Sequence, residues 1–342
     1  MRKSLMLSVI AVLLSLQIFT TVLSSQDNSR SGRQRNQEWS SDKLHAAESY
    51  AREIETAAVL VLHDGRIVFS FGDITHKYMC HSIRKPFLGA LYGIYINKGI
   101  IDIHTTLNEL NIDDIPPPLT PAEKQATIHD LLLSRSGVYH EAAGEAQSMI
   151  DARPGRGSHT PGTFFYYNNW DFNVLGTIFE QTTGKRIFDT FYEEIAQPIG
   201  MEDFSPIDCT YVFNRTMSEH PVYFFRMSTR DMARFGLLYQ QLGEWEGKQI
   251  VPEAWIREST SVYPVENSGG DPYGYLWRII PVEAGLGYGF YHTGFGVHLL
   301  AVLPDQKLVL VHRVDTNRDY DITWPEIKTL MEMILNARRH VE

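Results

Sequence analysis

The chain is poor in cysteine, has no long run of positive charge and shows no low-complexity body. Two cysteines in 342 residues, Cys80 and Cys209, allow one disulfide at most. A bridge between them would suit an oxidising compartment, and two unpaired small hydrophobes are the equal alternative. The formal net charge is −10, from 41 acidic and 31 basic residues, with no basic block in the body. A surface that neutralises phosphates is therefore missing, which argues against a nucleic-acid partner. His140-Glu141 does not extend to His-Glu-x-x-His, because position 144 is Gly, and no other histidine spacing forms a ligand set. No metal or other cofactor is expected. No internal repeat or heptad pattern is present. What remains is ordinary globular composition, 43% hydrophobic and 21% charged, with length for a large core in one domain or two interleaved ones.

The N-terminus is built differently from the rest. Arg2 and Lys3 precede an apolar run from Leu5 to Leu16, extended by Ile18 and Phe19 and followed by small residues to Ser25. This is the order of a secretory signal peptide, predicted at 1–25, and the product is expected to be secreted or periplasmic. The run is short for a transmembrane helix, and an uncleaved anchor is the alternative. Residues 26–40 are polar up to Trp39 and read as a disordered linker.

Beyond the linker, Asp42 to Arg52 has helical spacing. Two β-prone runs, 57–62 and 67–71, flank Asp64-Gly65, a tight-turn signal that predicts a hairpin. A helix is predicted from Ser82 to about Lys98, stopped by Gly99. Residues 101–259 are mostly helical pattern broken by loops, including an irregular Gly/Pro/Ala-rich stretch at 141–162. Strand patterns return at 275–282, 297–303 and 307–314, and an amphipathic helix covers 324–339. Strands at both ends with helices between predict an α+β fold: an antiparallel sheet flanked by helices, with an inserted all-α domain. The expected boundaries are 41–100 with 260–342 for the discontinuous α/β domain and 101–259 for the helical one.

One tetrapeptide carries chemistry. Ser82-Ile83-Arg84-Lys85 places a hydroxyl and an amine on one face of a helix start, three residues apart. A serine becomes a nucleophile when a base takes its proton, and a desolvated lysine can be that base. Ser40-x-x-Lys43 has the same spacing at the end of the polar linker. His81 and Arg84 flank Ser82 and read as exposed helix-surface residues that could tune it. Ser134 and Ser136 read as capping or turn residues.

Two further stretches complete a pattern: Thr160 to Trp170, containing Tyr166-Tyr167-Asn168-Asn169, and Gly289 to Gly296, containing His292-Thr293-Gly294. Ser-x-x-Lys, Tyr-x-Asn and His-Thr-Gly in this order resemble the three motifs of serine β-lactamases and penicillin-binding proteins of the class C type. Connecting segments at 127–137, 225–236 and 247–255 are similar to that family as well, and the resemblance covers about residues 45–335. No Ser-Asp-Asn occurs, which disfavours class A. Tyr-x-Asn occurs three times. Tyr95/Asn97 lies in the helix begun by Ser82, and the Pro161-Gly162-Thr163 lead-in favours Tyr167/Asn169 over Tyr166/Asn168.

The resemblance implies a serine hydrolase that forms an acyl-enzyme. Ser82 would be the nucleophile, Lys85 and Tyr167 would share the proton work, and Asn169, His292, Thr293 and Gly294 would line the substrate site. Backbone N–H groups of Ser82 and Phe295 would hold the oxyanion. Sequence leaves open whether Lys85 or Tyr167 is the general base. The partner implied is a small-molecule or peptide substrate: an ester, a D-amino-acid peptide or a β-lactam. No stable protein partner is inferred. His292 stands where lysine is commoner, removing a permanent charge, and Phe295 adds bulk beside the cleft. Both departures point toward D-alanyl-D-alanine peptidase or esterase relatives more than toward efficient β-lactamases. The rival is a non-catalytic peptidoglycan-binding or scaffolding member of the same fold, against which the intact Ser82, Lys85, Tyr167 and His292 argue.

Overall fold

The computed structural model describes residues 38–264 and 271–339. The predicted signal peptide and most of the predicted linker lie outside the described residues. The last linker residues are ordered: Trp39 is buried and bridges to Arg338, and Ser40 N donates to Ala337 O. The nine described α-helices are α1 (Ser41–Glu53), α2 (Arg84–Asn97), α3 (Ile128–Leu132), α4 (Gln147–Ala152), α5 (Asn169–Thr183), α6 (Ile187–Phe191), α7 (Thr229–Gln240), α8 (Glu253–Ser259) and α9 (Trp324–Leu335). Two compact units divide the chain.

The first unit joins the chain's ends, up to Ile54 and from Trp324 onward. Within it α1 and α9 pack together, and Lys43 Nζ donates to Asn336 O at 2.9 Å. The second Ser-x-x-Lys therefore spends its lysine on a backbone carbonyl.

The second unit runs from Glu55 to Thr323 and contains the sheet. Its strands are β1 (Ala58–His63), β2 (Arg66–Gly72), β3 (Tyr78–Met79), β4 (Thr210–Val212), β5 (Val222–Phe224), β6 (Arg226–Met227), β7 (Glu244–Trp245), β8 (Lys248–Gln249), β9 (Arg278–Ile279), β10 (Phe290–Gly294), β11 (His298–Leu303) and β12 (Leu308–Arg313). Six of them form an antiparallel sheet in the order β2-β1-β12-β11-β10-β9. The β1–β2 turn is the predicted Asp64-Gly65, with φ of 50° and 72°, the pair of positive values a type I′ turn requires. At the centre β1 pairs with β12, from Ala58↔Arg313 to His63↔Leu308. Every residue of both strands is buried, which is why they read as continuous apolar runs rather than alternating ones.

Helix α7 lies close on the sheet at Gly236, where an added Cβ would come within 2.6 Å of Val309 Cγ1. The predicted hairpin, the antiparallel sheet and the flanking helices are all present. The 101–259 stretch, expected to be purely helical, also holds the two-stranded ribbons β4–β5 and β7–β8 and strand β6, and it lies in the same unit as the sheet. Helix α2 is buried from Arg84 to Tyr95 and runs through the core, with Phe87, Leu88, Leu91 and Tyr92 all inaccessible to solvent. A helix apolar on every side is a core helix. Its N-terminal end carries Lys85 and directly follows Ser82.

Candidate active site

Ser82 lies in a single 3-10 turn, His81–Ile83, and the α-helix α2 begins at Arg84, two residues after the predicted start at Ser82. Three features hold that turn. Strand β3 pairs with β6, Cys80 N donates to Phe225 O at 2.9 Å, and His81 sits in the left-handed region at φ 47°. His81 is partly buried, its ring stacked 5.5 Å from His298 with Nε2 2.8 Å from Thr316 Oγ1. Beneath the turn lies Arg313, the last residue of β12, completely buried. Its guanidinium donates to the carbonyls of Met227, Tyr78 and Met79 at 3.0 Å each, and to His298 Nδ1 at 3.1 Å. A buried cation whose partners among the described residues are all neutral acceptors is costly to keep, and this one ties the strands β3 and β6 that support the Ser82 turn.

Lys85 projects from the first turn of α2 and is fully buried. Its Nζ lies 2.8 Å from Ser82 Oγ and 2.7 Å from Tyr167 OH, and it also faces the ring of Phe172 at 4.5 Å. Burial, reinforced by the charges of Arg84 and Arg278, holds the Lys85 amine well below the ordinary lysine range. Burial pushes the Tyr167 phenol up, against a hydrogen bond from Ser82 and the same two arginines. Burial thus favours the neutral form of both groups, with the amine touching the serine.

Tyr167 and Asn169 flank the start of α5, whose cap is Asn168, its side chain accepting from Trp170 N at 3.2 Å. Tyr166 points elsewhere and donates to Met149 O. Asp171, buried without a cation, takes Ser136 Oγ at 2.6 Å and Asn168 Nδ2 at 2.8 Å. Ser134 Oγ donates to Tyr166 O and accepts from Asn168 N. The two serines that sequence reads as turn residues thus brace the loop that carries Tyr167. Three asparagines at the start of α5 hold the segment 138–144: Asn168 Nδ2 donates to Val138 O, Asn173 Nδ2 to Ala143 O and Asn169 Nδ2 to Gly144 O. Asn169 is not bonded to Lys85. Its Oδ1 is buried and unpaired, an acceptor suited to a substrate N–H.

On the sheet side, His292 Nδ1 is 2.8 Å from Thr293 O, and its ring centre is 6.3 Å from that of Tyr167. Burial and the charges of Lys85 and Arg278 push its pKa well below the ordinary value, so the position adds no charge. At Gly294 an added Cβ would meet Cys80 O at 2.9 Å. Only a glycine lets the end of β10 pass this close to the turn that carries Ser82. Phe295 follows, 64% exposed, its ring 5.5 Å from that of His81.

Four residues of this neighbourhood carry no sequence motif. Arg84 is buried rather than exposed. It donates from Nη2 to Asn173 Oδ1 at 2.9 Å, with its guanidinium 4.3 Å over the Tyr223 ring and Nη1 unpaired. Asn173 is one turn beyond Asn169 on the same helix face, a spacing that could have marked it. Arg278 and Arg313 stand alone in their strands and give no local signal. Cys80 and Cys209 are both free.

A family model described as Beta-lactamase matches residues 42–326. The chain belongs to the beta-lactamase family. A D-aminopeptidase from Brucella anthropi is 28% identical over 199 residues, which is 50% of this chain and 38% of that enzyme. The match thus spans well under two thirds of that relative's length. Among solved structures, a penicillin-binding protein homologue from Pyrococcus abyssi is 19% identical with a TM-score of 0.62, covering 87% of this chain and 77% of the other. A family VIII carboxylesterase is 16% identical with a TM-score of 0.63, covering 86% of this chain and 97% of the other. At these identities the two structures establish the shared fold of this family. The sequence resemblance therefore named the right family and the right fold.

Proposed function

We propose that this member of the beta-lactamase family is a serine hydrolase that cleaves an amide or ester through an acyl-enzyme on Ser82. The observation that carries the reading is Lys85 Nζ, buried, lowered in pKa and within 2.8 Å of Ser82 Oγ and 2.7 Å of Tyr167 OH. Of the two candidate bases, the amine is the one whose proton-accepting form burial favours. Ser82 Oγ attacks the carbonyl carbon while its proton passes to Lys85. The negative oxygen of the tetrahedral intermediate faces the N–H groups of Ser82 and Phe295. Collapse breaks the bond to the leaving group, which takes its proton from the Lys85–Tyr167 pair. Water, deprotonated by the same pair, then releases the acyl group and restores Ser82. Asn169 Oδ1 receives a substrate N–H, and Thr293 lines the strand side.

The relatives supply the substrate classes to try: D-amino-acid peptides and small esters, with β-lactams as a weaker case. The test is intact-mass analysis after a fluorophosphonate and after each of three substrates, a p-nitrophenyl ester, nitrocefin and a D-Ala-D-Ala peptide. The expected result is a single adduct on the wild type and none on Ser82→Ala, with turnover in at least one panel. Labelling that persists in Ser82→Ala would overturn the nucleophile assignment. Muropeptide binding without any turnover would favour the non-catalytic reading.

A further inference from the structure

Helix α2 opens with two adjacent basic residues, Arg84 and Lys85, and both are buried. Lys85 is occupied by Ser82 Oγ and Tyr167 OH. Arg84 touches neither of those groups, and the partners it has are neutral. Its Nη2 donates to Asn173 Oδ1 at 2.9 Å, and its Nη1 is buried without a hydrogen bond. The guanidinium carbon lies 4.3 Å over the Tyr223 ring and 5.9 Å from the Phe224 ring. Among the described residues Arg84 forms no ion pair, whereas other arginines of the chain take carboxylates, as at Arg153–Glu145 and Arg230–Asp203.

A guanidinium removed from water and left without a counter-charge is costly to keep. A carboxylate partner would ease that cost, and it would also cancel the field. The amide oxygen of Asn173 and the face of Tyr223 hold the group without cancelling it. The next residue in the chain is the one that feels the field. Lys85 must shed a proton to serve as a base, and a positive neighbour in a dry site disfavours the protonated amine.

Nothing else around Lys85 offsets this charge. Arg278 of β9, 5.1 Å over the Tyr167 ring, adds the same sign. Burial and neighbouring charge keep His292 of β10 uncharged, and His81, before Ser82, is lowered to about 4. Burial favours the neutral form of the Tyr167 phenol and raises the carboxyl of Asp171, at the start of α5, well above the usual range. For Lys85 itself the causes run in the order burial, Arg84, Arg278.

We propose that Arg84 is a positioning residue that acts through its charge: held by Asn173 and Tyr223 without a counter-ion, it keeps Lys85 in the proton-accepting form. The proposal rests on the acyl-enzyme reading of the same site.

Three substitutions separate charge from mechanical bracing. Arg84→Met removes the charge and the brace together. Asn173→Asp keeps the contact to Arg84 and sets a counter-charge against the guanidinium. Asn173→Ala removes the brace, including its bond to Ala143 O, and leaves the charge in place. The readout is the pH dependence of the second-order rate at which a fluorophosphonate labels Ser82, which requires no knowledge of the substrate.

The acidic limb should move up by about one to two pH units in both Arg84→Met and Asn173→Asp. That is the size expected for charges roughly 6–12 Å apart at an effective dielectric of about 20. Labelling below the limb is then about 10- to 100-fold slower. In Asn173→Ala the limb should stay where it is in the wild type, whatever happens to the plateau rate. An unmoved limb in Arg84→Met or in Asn173→Asp would overturn the proposal. So would an equal displacement in Asn173→Ala, because Arg84 would then act as a brace.

A second readout covers a variant that labels poorly and a Ser82 that proves unreactive. The Lys85 Nζ resonance, assigned by its absence from Lys85→Met, is titrated by nitrogen NMR in the wild type and the three variants. Absence of labelling with the expected shifts in this titration would count against the nucleophile and leave the role of Arg84 standing. A titration that is the same in all four proteins would sink that role even if Ser82 is labelled.

Discussion

Replacing Gly294 with alanine should slow catalysis in an enzyme that still folds. The added Cβ would sit 2.9 Å from Cys80 O and 3.2 Å from His298 Cβ. Neither neighbour can rotate away, since one is backbone and the other is the first atom of a buried side chain. Relaxed contact between carbon and a carbonyl oxygen begins near ~3.3 Å, so the end of β10 must retreat by about 0.4 Å. That retreat widens the gap between the Ser82 turn and the Phe295 N–H, the two proposed oxyanion donors. Reacting groups must be held to within about 0.5 Å, and a 1 Å error costs about 10²-fold. A loss of about tenfold in kcat is therefore expected, with a stability cost of about 1–2 kcal/mol for the overpacking. The assay is steady-state hydrolysis of a p-nitrophenyl ester, with active sites counted by fluorophosphonate and unfolding followed in urea. Gly155→Ala is the control, because an added Cβ there meets nothing within 4 Å. A Gly294→Ala enzyme with wild-type kcat and undiminished stability would refute the close-approach argument.

Other substitutions probe the site's electrostatics and scaffolding. Lys85→Met should abolish turnover while raising stability at pH 7 by about 1–2 kcal/mol, as removal of a buried ionisable group often does. Because burial lowers the folded pKa, the unfolded chain binds the extra proton, so this gain should shrink toward pH 10 in urea titrations; a gain that grows with pH would reverse the sign. Burial and neighbouring arginine charge lower the pKa of His81 to about 4, and burial lowers that of His312 to about 4. Both take up protons on unfolding between pH 6.5 and 4. Stability should therefore fall with acid by about 1.4 kcal/mol per pH unit for each fully engaged histidine, and a flat urea midpoint across that window would contradict it. Arg313→Met should cost about 3–5 kcal/mol, because three buried carbonyls lose their donor; a loss under about 1 kcal/mol would show that the clamp is dispensable. Asp171→Ala should lower kcat with little change in KM by loosening the Tyr167 loop, and an increase in KM alone would argue against that positioning role.

The parts legible in the sequence were those with local pattern. Asp64-Gly65 announced its hairpin because two positive φ values need those residues, and three ordered motifs announced Ser82, Lys85 and Tyr167. What escaped was set by partners distant in sequence. Arg84 read as exposed because its neighbour Asn173 is 89 residues away, and Arg313 looked like the end of an apolar strand although it grips carbonyls more than 230 positions earlier. Asn169 was expected to line the substrate site, and the partner of its amide N–H, Gly144 O, comes from a loop whose path no periodicity reveals. The short ribbons within 101–259 escaped for the same reason, since strands of two or three residues carry no alternation to read.

The grip of Arg313 on the nucleophile's turn also has a consequence in time. A ribosome makes Ser82, Lys85 and Tyr167 long before it makes residue 313, and β1 waits equally long for the strand that completes its pairing. A nascent or prematurely terminated chain ending before β12 would own every proposed reacting group and still lack the bracket that aims the serine. Activity of the proposed kind would then wait for β12, and a chain released before that strand is made is expected to be inactive.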